Sequence, residues 1–472
     1  MSKPVRAVVA TVTSAVVFFF GTGLDPVPEL AWVAPLPILL LAPRVSGASA
    51  FACAFVAYLA GSCGSWSYFW HSLAVPRPAA IAILGGSALL FALSAVLFRL
   101  LVRRGHGLLA AFAAPALWTF VLYVVSLVNS TGLMGTLMTT QADRPAVLRP
   151  AAVTGGWGVE FLVLFVPAAV AAALAPRVHG VARVTGLAAV AGALGALVFW
   201  STPPLTGPST RVAVVAPGES RWAADVATPG GQALLESYVD QIGRLPDGVR
   251  AVVLPEAAFA VDESSRPRLV EAFTRVARAR NLDVVTGVLD TTPAGRFNAA
   301  LAVPPSGAPV EYHKWHVGAA KNTAAGTGVA HLAGIGLMVC MDVNFADPSG
   351  EYGKAGTGLV LIPASDEDAD GWEHSRTALI HGVENGFSVA WSAARGTPML
   401  ADAHGHVLAE TRTGGHPFSV AVADVPAGTG KTPYARFGDW FAWLCGLIAA
   451  AGVVVGARTP SLSRVTTDAS QV

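Results

Sequence analysis

The stretch IGLMVCMD (335–342) carries a thiol, Cys340, at the end of an apolar run, and an acidic residue follows closely. A short apolar run of this kind is typical of a buried strand. RVAVVAP (211–217) and GVRAVVLPE (248–256) have the same character, and the second ends on Glu256. In α/β sheets, functional side chains are commonly found at strand ends. These runs therefore predict a sheet with reactive groups at its edge.

The same pattern continues through residues 209–430. Further strands are predicted at 282–290, 297–305, 357–364, 387–394 and 399–410. Polar helical stretches lie between the strands, at 230–244, 263–280 and 373–386. Strands alternating with helices, and apolar along their whole length, predict a layered α/β domain with a largely buried sheet.

The chain as a whole is unusually apolar. Its 472 residues are 53% hydrophobic and 13% charged, against about 25% charged in soluble proteins, and the apolar runs lie mostly outside the region just described. A helix that crosses a bilayer needs about 20 mostly apolar residues. Eight runs fit, although the second is short and contains proline: 5–22, 30–43, 47–64, 79–102, 107–128, 155–175, 181–200 and 438–457. We expect a transmembrane bundle of about eight helices (1–208 and 431–472) carrying one catalytic domain (209–430).

The charges of the loops predict the orientation of this bundle. Basic residues collect in cytoplasmic loops. With the N terminus inside, the short outer loops hold only Arg77, Arg144 and Arg149, and the inner side holds nine basic residues: Lys3, Arg6, Arg44, Arg103, Arg104, Arg177, Arg183, Arg458 and Arg464. Seven crossings then place the α/β domain outside the cell.

Composition excludes other classes of function. The net charge is +1 and no basic run is present, so we expect no nucleic-acid partner. No CxxC or His-rich spacing indicates a metal. Cys53, Cys63 and Cys445 fall in or beside apolar segments, where cysteine is usually a small buried hydrophobe, which leaves Cys340 alone in the polar domain.

Three strand ends carry groups suited to acyl transfer. Glu256 ends VVLPE (252–256), Lys314 lies in VEYHKWH (310–316), and Cys340 follows the apolar run before it. A thiolate attacks an ester or amide, a carboxylate moves the proton, and an ammonium stabilises the oxyanion. Singly, each residue type is more often structural or exposed to solvent. Their order along the chain makes the catalytic interpretation stronger.

This order resembles the Glu-Lys-Cys triad of the nitrilase superfamily, and the surrounding helices resemble its membrane-embedded branch, the apolipoprotein N-acyltransferase family. PELAWVAPLPILLLA (28–42), GGWGVEFLVLF (155–165) and YARFGDWFAW (434–443) extend the likeness over nearly the whole chain. The resemblance implies an α-β-β-α sandwich in which Glu256 is the general base, Lys314 the oxyanion-stabilising cation and Cys340 the acylated nucleophile.

The resemblance also implies a reaction. An acyl chain passes from a phospholipid to Cys340 as a thioester, and then to the α-amine of a diacylglyceryl-cysteine at the N terminus of a lipoprotein. No cofactor is required. The expected location is the bacterial plasma membrane, with the catalytic domain on the extracytoplasmic side, and we expect a monomer.

The surroundings of the triad depart from the family. Its Pro-Phe-Gly-Glu segment after the lysine is replaced, and no acidic residue lies between Lys314 and Cys340. Cys-Tyr-Glu becomes Cys340-Met341-Asp342, and Ser-Asn-x-x-Trp-Phe becomes the acidic run 364–368, which we interpret as a solvated loop. Candidate supporting or substrate-contacting residues are Asp342, Met341, Trp315, Trp372 and Glu384, with Lys321 as a further compensating group.

Other interpretations remain open. The protein is alternatively a membrane-tethered nitrilase-type amidase, or a catalytically weakened paralogue that binds lipoproteins or partners an active enzyme. A transporter is disfavoured because the helices have almost no central charges, and Glu160 is expected at the membrane interface. The outer loops 64–78 and 129–158 are either an interfacial aromatic belt or a lipid-binding mouth.

Overall fold

The structure is a computed structural model, and it describes residues 2–72, 75–175, 180–199, 203–219, 221–318 and 322–458. In this part of the chain, six helices are long and apolar enough to cross a membrane: Lys3–Gly21, Gly47–Ser65, Arg77–Arg103, Gly107–Val128, Gly156–Ala173 and Trp440–Arg458. A further helix, Gly180–Phe199, leads towards the α/β domain. The predicted helical bundle is confirmed.

The second predicted membrane helix, at 30–43, is wrong as a continuous element. The chain instead forms two short helices, Pro28–Ala31 and Leu36–Leu41, followed by a 3₁₀ turn at Ala42–Arg44. Pro35 and Pro37 interrupt the segment, because proline lacks a backbone N–H and clashes with the preceding turn. The Ser14 hydroxyl donates to the Ala34 carbonyl within the break, which satisfies a backbone group that lipid cannot.

The broken segment nevertheless passes from one face of the bundle to the other. The helices Lys3–Gly21 and Gly47–Gly61 pack with their C-terminal ends together, since Gly61 lies against Phe18 and Gly64 against Phe19. Because the two helices run in the same direction, the chain between them must return to the opposite face. The N terminus therefore lies on the face away from the α/β domain.

The α/β domain contains two sheets packed face to face. Eight strands form the first sheet: Ser209–Pro217, Ala224–Asp225, Ala251–Val253, Phe259–Asp262, Asp283–Thr292, Gly295–Val303, Val310–His313 and Phe418–Pro426. Six form the second: Ala330–Leu332, Ile335–Leu337, Leu359–Ser365, Ser388–Ala394, Met399–Ala401 and Val407–Glu410.

Helices cover the outer face of each sheet. Pro229–Gly243 and Arg266–Arg280 pack on the first sheet, while Ser349–Ala355 and Gly371–Asn385 pack on the second. Successive strand residues point to opposite faces. Val212 and Val214 accordingly lie in the core between the sheets, and Ala213 and Val215 lie under the helices. The predicted α-β-β-α sandwich is confirmed.

Some predicted strands are shorter than expected. The run 335–342 is a strand only over Ile335–Leu337, and Cys340–Asn344 is a 3₁₀ turn. The run 399–410 divides into Met399–Ala401 and Val407–Glu410 around a turn at Asp402–Gly405. In the first case Cys340 has φ +43°, a left-handed conformation that ends a strand.

Loops of the membrane bundle hold the α/β domain in place. The Leu133 N–H donates to the Asn344 carbonyl (2.9 Å), and the Asn344 amide donates to the Thr131 carbonyl (3.2 Å). The Tyr68 hydroxyl donates to Asp370 (2.5 Å). The loops 64–78 and 129–158 therefore hold the α/β domain against the bundle, and the second of them contacts the turn that carries Cys340.

Candidate active site

Glu256 and Lys314 form a buried ion pair between the two sheets. The Lys314 Nζ–Glu256 Oε1 distance is 2.7 Å, and each residue is 3% exposed. The Asn298 side-chain amide also donates to Oε1 (2.6 Å). Asn298 lies on the Gly295–Val303 strand, and its carbonyl accepts from the Lys314 N–H (2.8 Å). Asn298 thus positions both Glu256 and Lys314, and the sequence analysis did not identify Asn298 as a site residue.

The backbone at Glu256 joins the two sheets. Its N–H donates to the Ala364 carbonyl on the second sheet (3.0 Å). On the other side Gly287 approaches so closely that a Cβ there would lie 2.5 Å from the Ala257 nitrogen and the Pro255 oxygen. Only glycine permits this approach. The carboxylate is therefore held by rigid strand backbone on both sides.

Cys340 begins the 3₁₀ turn at the end of the second sheet. It is 5% exposed, and its thiol donates to the Ser365 carbonyl at 3.5 Å. The left-handed backbone turns its side chain away from the direction of the strand. The thiol lies close enough to Glu256 and Lys314 for both charges to act on it. The three predicted catalytic residues are thus brought together.

The surroundings of Lys314 and Cys340 determine their protonation states in the free protein. Burial lowers the pKa of Lys314, but the charge of Glu256, with those of Cys340 and Asp342, outweighs burial and raises it. Burial and the charge of Glu256 raise the pKa of Cys340 well above its ordinary value, although Lys314 opposes them. Lysine is therefore an ammonium at neutral pH, and the free protein holds a protonated thiol.

Asp342 supports the loop that follows Lys314. It is fully buried and accepts from the Tyr312 hydroxyl (2.7 Å) and the His316 N–H (2.8 Å). Asp342, on the turn that begins with Cys340, thus fixes the position of the segment that carries Lys314. This supporting role belongs to one of the predicted candidates.

The other candidates lie in different surroundings. The Trp315 indole donates to the Gly328 carbonyl (3.1 Å), and Met341 is half-buried next to the thiol. Trp372 donates to Asp143 of a membrane loop (3.0 Å), and Glu384 accepts from the Gly156 N–H (2.6 Å). The last two hold the bundle and the domain together. Lys321 lies outside the described residues.

Glu160 lies near the N terminus of the helix Gly156–Ala173, as the sequence predicts. It is fully buried in the bundle, where it accepts from the Trp118 indole (2.6 Å) and the Met138 N–H (2.7 Å). These contacts anchor the loop before the helix Gly156–Ala173.

A second buried pair lies beside Cys340, in the run interpreted as a solvated loop. Asp366 is 5% exposed and His374 is 6% exposed, and His374 Nδ1 lies 2.8 Å from Asp366 Oδ1. Donor atoms of Cys340, Asp366 and His374 all lie within 4.8 Å of one another. Asp366 follows the strand Leu359–Ser365 and His374 lies on the helix Gly371–Asn385, so no single helical or strand period relates them and could have predicted the pair.

This pair fits proton transfer better than a metal. Thiol, imidazole and carboxylate are donor types of zinc sites. Here, however, Nδ1 and Oδ1 are hydrogen bonded to each other at 2.8 Å, instead of both pointing at a shared empty position. An imidazole oriented by a carboxylate beside a thiol is the arrangement of an acid–base pair.

Two adjoining clefts lead along the junction of bundle and domain. One, of about 190 Å³, lies at the ends of the first membrane helices and is lined by Phe19, Gly61 and neighbouring residues. The other, of about 330 Å³, is lined by Trp372, Thr397 and residues around Glu410. Leu24 and Asp25 line both. The clefts therefore connect the membrane surface with the helix that carries His374.

Comparison with known proteins gives matches to both halves of this architecture. Residues 14–169 match the family described as apolipoprotein N-acyltransferase N-terminal domain. An apolipoprotein N-acyltransferase of Geobacter metallireducens is 24% identical, over 96% of this chain and 95% of that protein.

Among solved structures, the similarity covers about half of the chain. An amidase mutant from Nesterenkonia sp. AN1, with an acetamide group added at its active-site cysteine, has a TM-score of 0.41 and 19% identity, over 50% of this chain and 97% of that one. Saccharomyces cerevisiae Nit3, of the nitrilase superfamily, has a TM-score of 0.40 and 17% identity, over 48% and 93%. The chain is therefore similar to an apolipoprotein N-acyltransferase over nearly its whole length, and its residues 14–169 match the N-terminal domain of that family.

Proposed function

We propose that this protein is an apolipoprotein N-acyltransferase in which Glu256, Lys314 and Cys340 transfer an acyl chain from phospholipid to the N-terminal amine of a diacylated lipoprotein. The observation that carries the proposal is the buried Lys314–Glu256 pair beside the Cys340 thiol, in a domain bracketed to a membrane bundle. The 24% identical relative bears the same name.

The first half-reaction forms a thioester. The Cys340 sulfur attacks the ester carbonyl of the phospholipid while its proton passes to Glu256. Lys314 donates to the oxyanion of the tetrahedral intermediate, where a fixed ammonium in a dry site is worth most. As the intermediate collapses, the C–O bond breaks and Glu256 returns the proton to the leaving lysophospholipid hydroxyl.

The second half-reaction releases the acyl chain. The acceptor amine attacks the thioester carbon, the C–S bond breaks, and a proton from nitrogen reaches sulfur through Glu256. Asn298 keeps the Glu256 oxygen in place for both transfers through its 2.6 Å hydrogen bond. The products are an N-acylated lipoprotein and the free thiol.

Both lipids reach the site from the membrane. The adjoining clefts that share Leu24 and Asp25 provide a path from the membrane helices to the α/β domain. We place this domain on the extracytoplasmic side of a bacterial plasma membrane, because Lys3, Arg6, Arg44 and Arg103 lie on the opposite face. The protein acts as a monomer with residues 209–430 as its catalytic domain.

The test is to isolate the acyl-enzyme. Purified protein is incubated with phospholipid and analysed by mass spectrometry, and a diacylated peptide is then added. We expect one acyl chain on Cys340, lost as N-acylated peptide forms, and neither product with Cys340→Ala. Release of free fatty acid without N-acylated peptide would instead indicate a hydrolase. Identical behaviour of wild-type and Cys340→Ala proteins would remove the catalytic role.

A further inference from the structure

In the second half-reaction the acceptor ammonium must lose two protons, and Glu256 transfers only one of them. An α-amine has a pKa of about 7.7–8.0, so at neutral pH most acceptor molecules arrive as ammonium. One proton must leave before nitrogen can attack, and a second leaves nitrogen afterwards and reaches sulfur. Glu256 accounts for the second, and the first needs another acceptor near the thioester carbon.

A group suited to that task lies on the other sheet. A donor atom of His374 is within 4.8 Å of the Cys340 sulfur, which is close to where the attacking nitrogen must stand. Its Nδ1 is oriented by Asp366, and its Nε2 is buried without a hydrogen-bond partner among the described residues. Asp366 thus orients the ring, as the third member of a catalytic triad does.

The position of the ring is fixed by packing. Its centroid lies 4.8 Å from that of Trp391 in an edge-to-face arrangement. The helix Gly371–Asn385 that carries it is held by the membrane loops through Trp372 and Arg376, which both donate to Asp143. The imidazole is therefore held at one place relative to the thiol.

Titratable groups around His374 come from several elements. Its own helix and the residue before it supply Glu373 and Asp370, and the membrane loop supplies Tyr68, whose hydroxyl donates to Asp370. Burial raises the pKa of Glu373 to about 8, with the charge of Asp370 adding to it. The full set facing the ring region is Asp366, Asp370, Glu373, Tyr68 and Cys340, with Glu256 and Lys314 beyond the thiol. Carboxylates predominate among these groups.

We propose that the Asp366–His374 pair is a second acid–base pair of the Cys340 site, which takes the extra proton from the ammonium form of the acceptor. This rests on the proposed acyltransferase function. The ammonium gives one proton to the imidazole, and its nitrogen lone pair then attacks the thioester carbon. The C–S bond breaks, the amide forms, Glu256 moves the remaining proton to sulfur, and the imidazolium releases its proton to solvent.

The experiment separates the two half-reactions in a His374→Gln protein. Acyl-enzyme formation from phospholipid is measured alone, and the isolated acyl-enzyme is then mixed with a diacylated peptide from pH 6.5 to 9. About one amine in twenty is neutral at pH 6.5. We therefore expect about a 20-fold slower transfer at that pH, falling to less than about threefold at pH 9, where the amine is already neutral.

A nucleophile that is mostly neutral over this pH range provides the second measurement. Hydroxylamine is largely neutral across this range, so His374→Gln should react with it about as fast as wild type. Unchanged acyl-enzyme formation also shows that the variant is folded. We expect Asp366→Asn to give the same pattern with a smaller loss, because it keeps the side chain but not its charge.

A matched control lies two turns along the same helix. His381 is half-buried and also lies beside a carboxylate, with Nδ1 2.7 Å from Glu384, but away from the thiol. We expect His381→Gln to transfer at wild-type rates at every pH. A pH-independent loss in His374→Gln, or an equal loss towards hydroxylamine, would overturn the inference. If wild type forms no acyl-enzyme, the proposed function itself fails.

Discussion

At the scale of single residues, the Lys314–Glu256 pair bears on both the stability and the proposed activity of the protein. Both charges are 3% exposed, and removing one leaves the other without a counter-charge. We expect Lys314→Met to lose about 3–5 kcal/mol of unfolding free energy, together with acyl-enzyme formation. Thermal unfolding in detergent and mass spectrometry measure the two effects.

The neutral double variant Glu256→Gln/Lys314→Met is the matched control. It removes both charges and should recover most of the stability while remaining inactive, since replacing both members of a buried pair is often neutral. A double variant as unstable as Lys314→Met would show that the pair is not what destabilises the single variant.

Glu373 makes stability depend on pH. Burial, with the charge of Asp370, raises its pKa from 4.5 to about 8. Between these values the folded protein holds a proton that the unfolded chain has lost, so stability falls as pH rises. Relative to Glu373→Gln, wild type should lose roughly 1.4 kcal/mol per pH unit in this window.

Melting temperatures of the two proteins at pH 5, 6.5 and 8 provide the measurement. Below about pH 4.5 the two proteins should be equally stable, because the carboxyl is then protonated in both states. Glu351→Gln, on a half-exposed side chain of a neighbouring helix, should show no such trend. A constant difference between wild type and Glu373→Gln would contradict the assignment.

Glu256, Lys314 and Cys340 could be proposed as a group from the sequence, because they occur near the ends of predicted strands in the order of a known triad. The sequence did not predict Asp366–His374. An acidic run is usually solvated, and only the contact between the second sheet and its covering helix buries Asp366. Asn298 was missed for a similar reason, since its role depends on the register of the Gly295–Val303 and Val310–His313 strands and on a contact with Glu256, 42 residues away.

At the scale of elements, the close approach at Gly287 positions the carboxylate. A Cβ there would lie 2.5 Å from backbone atoms on both sides of Glu256. We expect Gly287→Ala to lose about 1–3 kcal/mol of stability and to form acyl-enzyme more slowly, because Glu256 must shift. Denaturation and single-turnover acylation measure these effects.

Gly243, at the end of the helix Pro229–Gly243, is the control for this substitution. No atom lies within 4 Å of a Cβ at that position. Gly243→Ala should leave acylation unchanged and stability equal or slightly higher. Equal losses in both variants would mean that the approach at Gly287 has no special effect.

Helices and strands were predicted correctly where their sequence patterns were long, and they were missed where the patterns were short. The helices at 230–244 and 263–280 appear within a few residues of their predicted bounds. Strands such as Ala224–Asp225 and Ala330–Leu332 were not predicted, because two or three residues carry no periodicity. The run 30–43 was predicted as one helix from its apolar composition, and the prolines already noted in it divide it into two short helices.

At the scale of the whole molecule, Asp143 joins the bundle to the catalytic domain. It accepts from the Trp372 indole and from Arg376 at 2.6 Å. Asp143→Asn removes a charge-assisted contact worth about 1.5–3 kcal/mol. We expect the KM for phospholipid to rise by roughly tenfold, because the loop beside the cleft loosens.

Hydroxylaminolysis of the preformed acyl-enzyme should be unaffected in this variant, because the chemistry at Cys340 is untouched. Asp247→Asn, which removes a fully exposed carboxylate paired with Arg280, is the matched control and should leave KM unchanged. A fall in hydroxylaminolysis equal to the loss with phospholipid would place the effect in the catalytic site instead.

The crossing of the broken segment determines which side the domain faces. In a Cys63→Ser background, we expect Glu263→Cys on the α/β domain to react with a membrane-impermeant maleimide in intact cells. Ala48→Cys, on the opposite face, should react only after lysis. Both substituted positions are exposed. The reverse pattern would invert the proposed orientation.

The raised pKa of Cys340 also concerns oxidation. On the outer surface of a cell, thiolates are attacked by peroxides and thiols are drawn into disulfides, and both reactions follow thiolate character and access. A thiol that rests protonated and 5% exposed escapes both. Under the proposed function, the Cys340 sulfur is therefore protected between turnovers without a reductant.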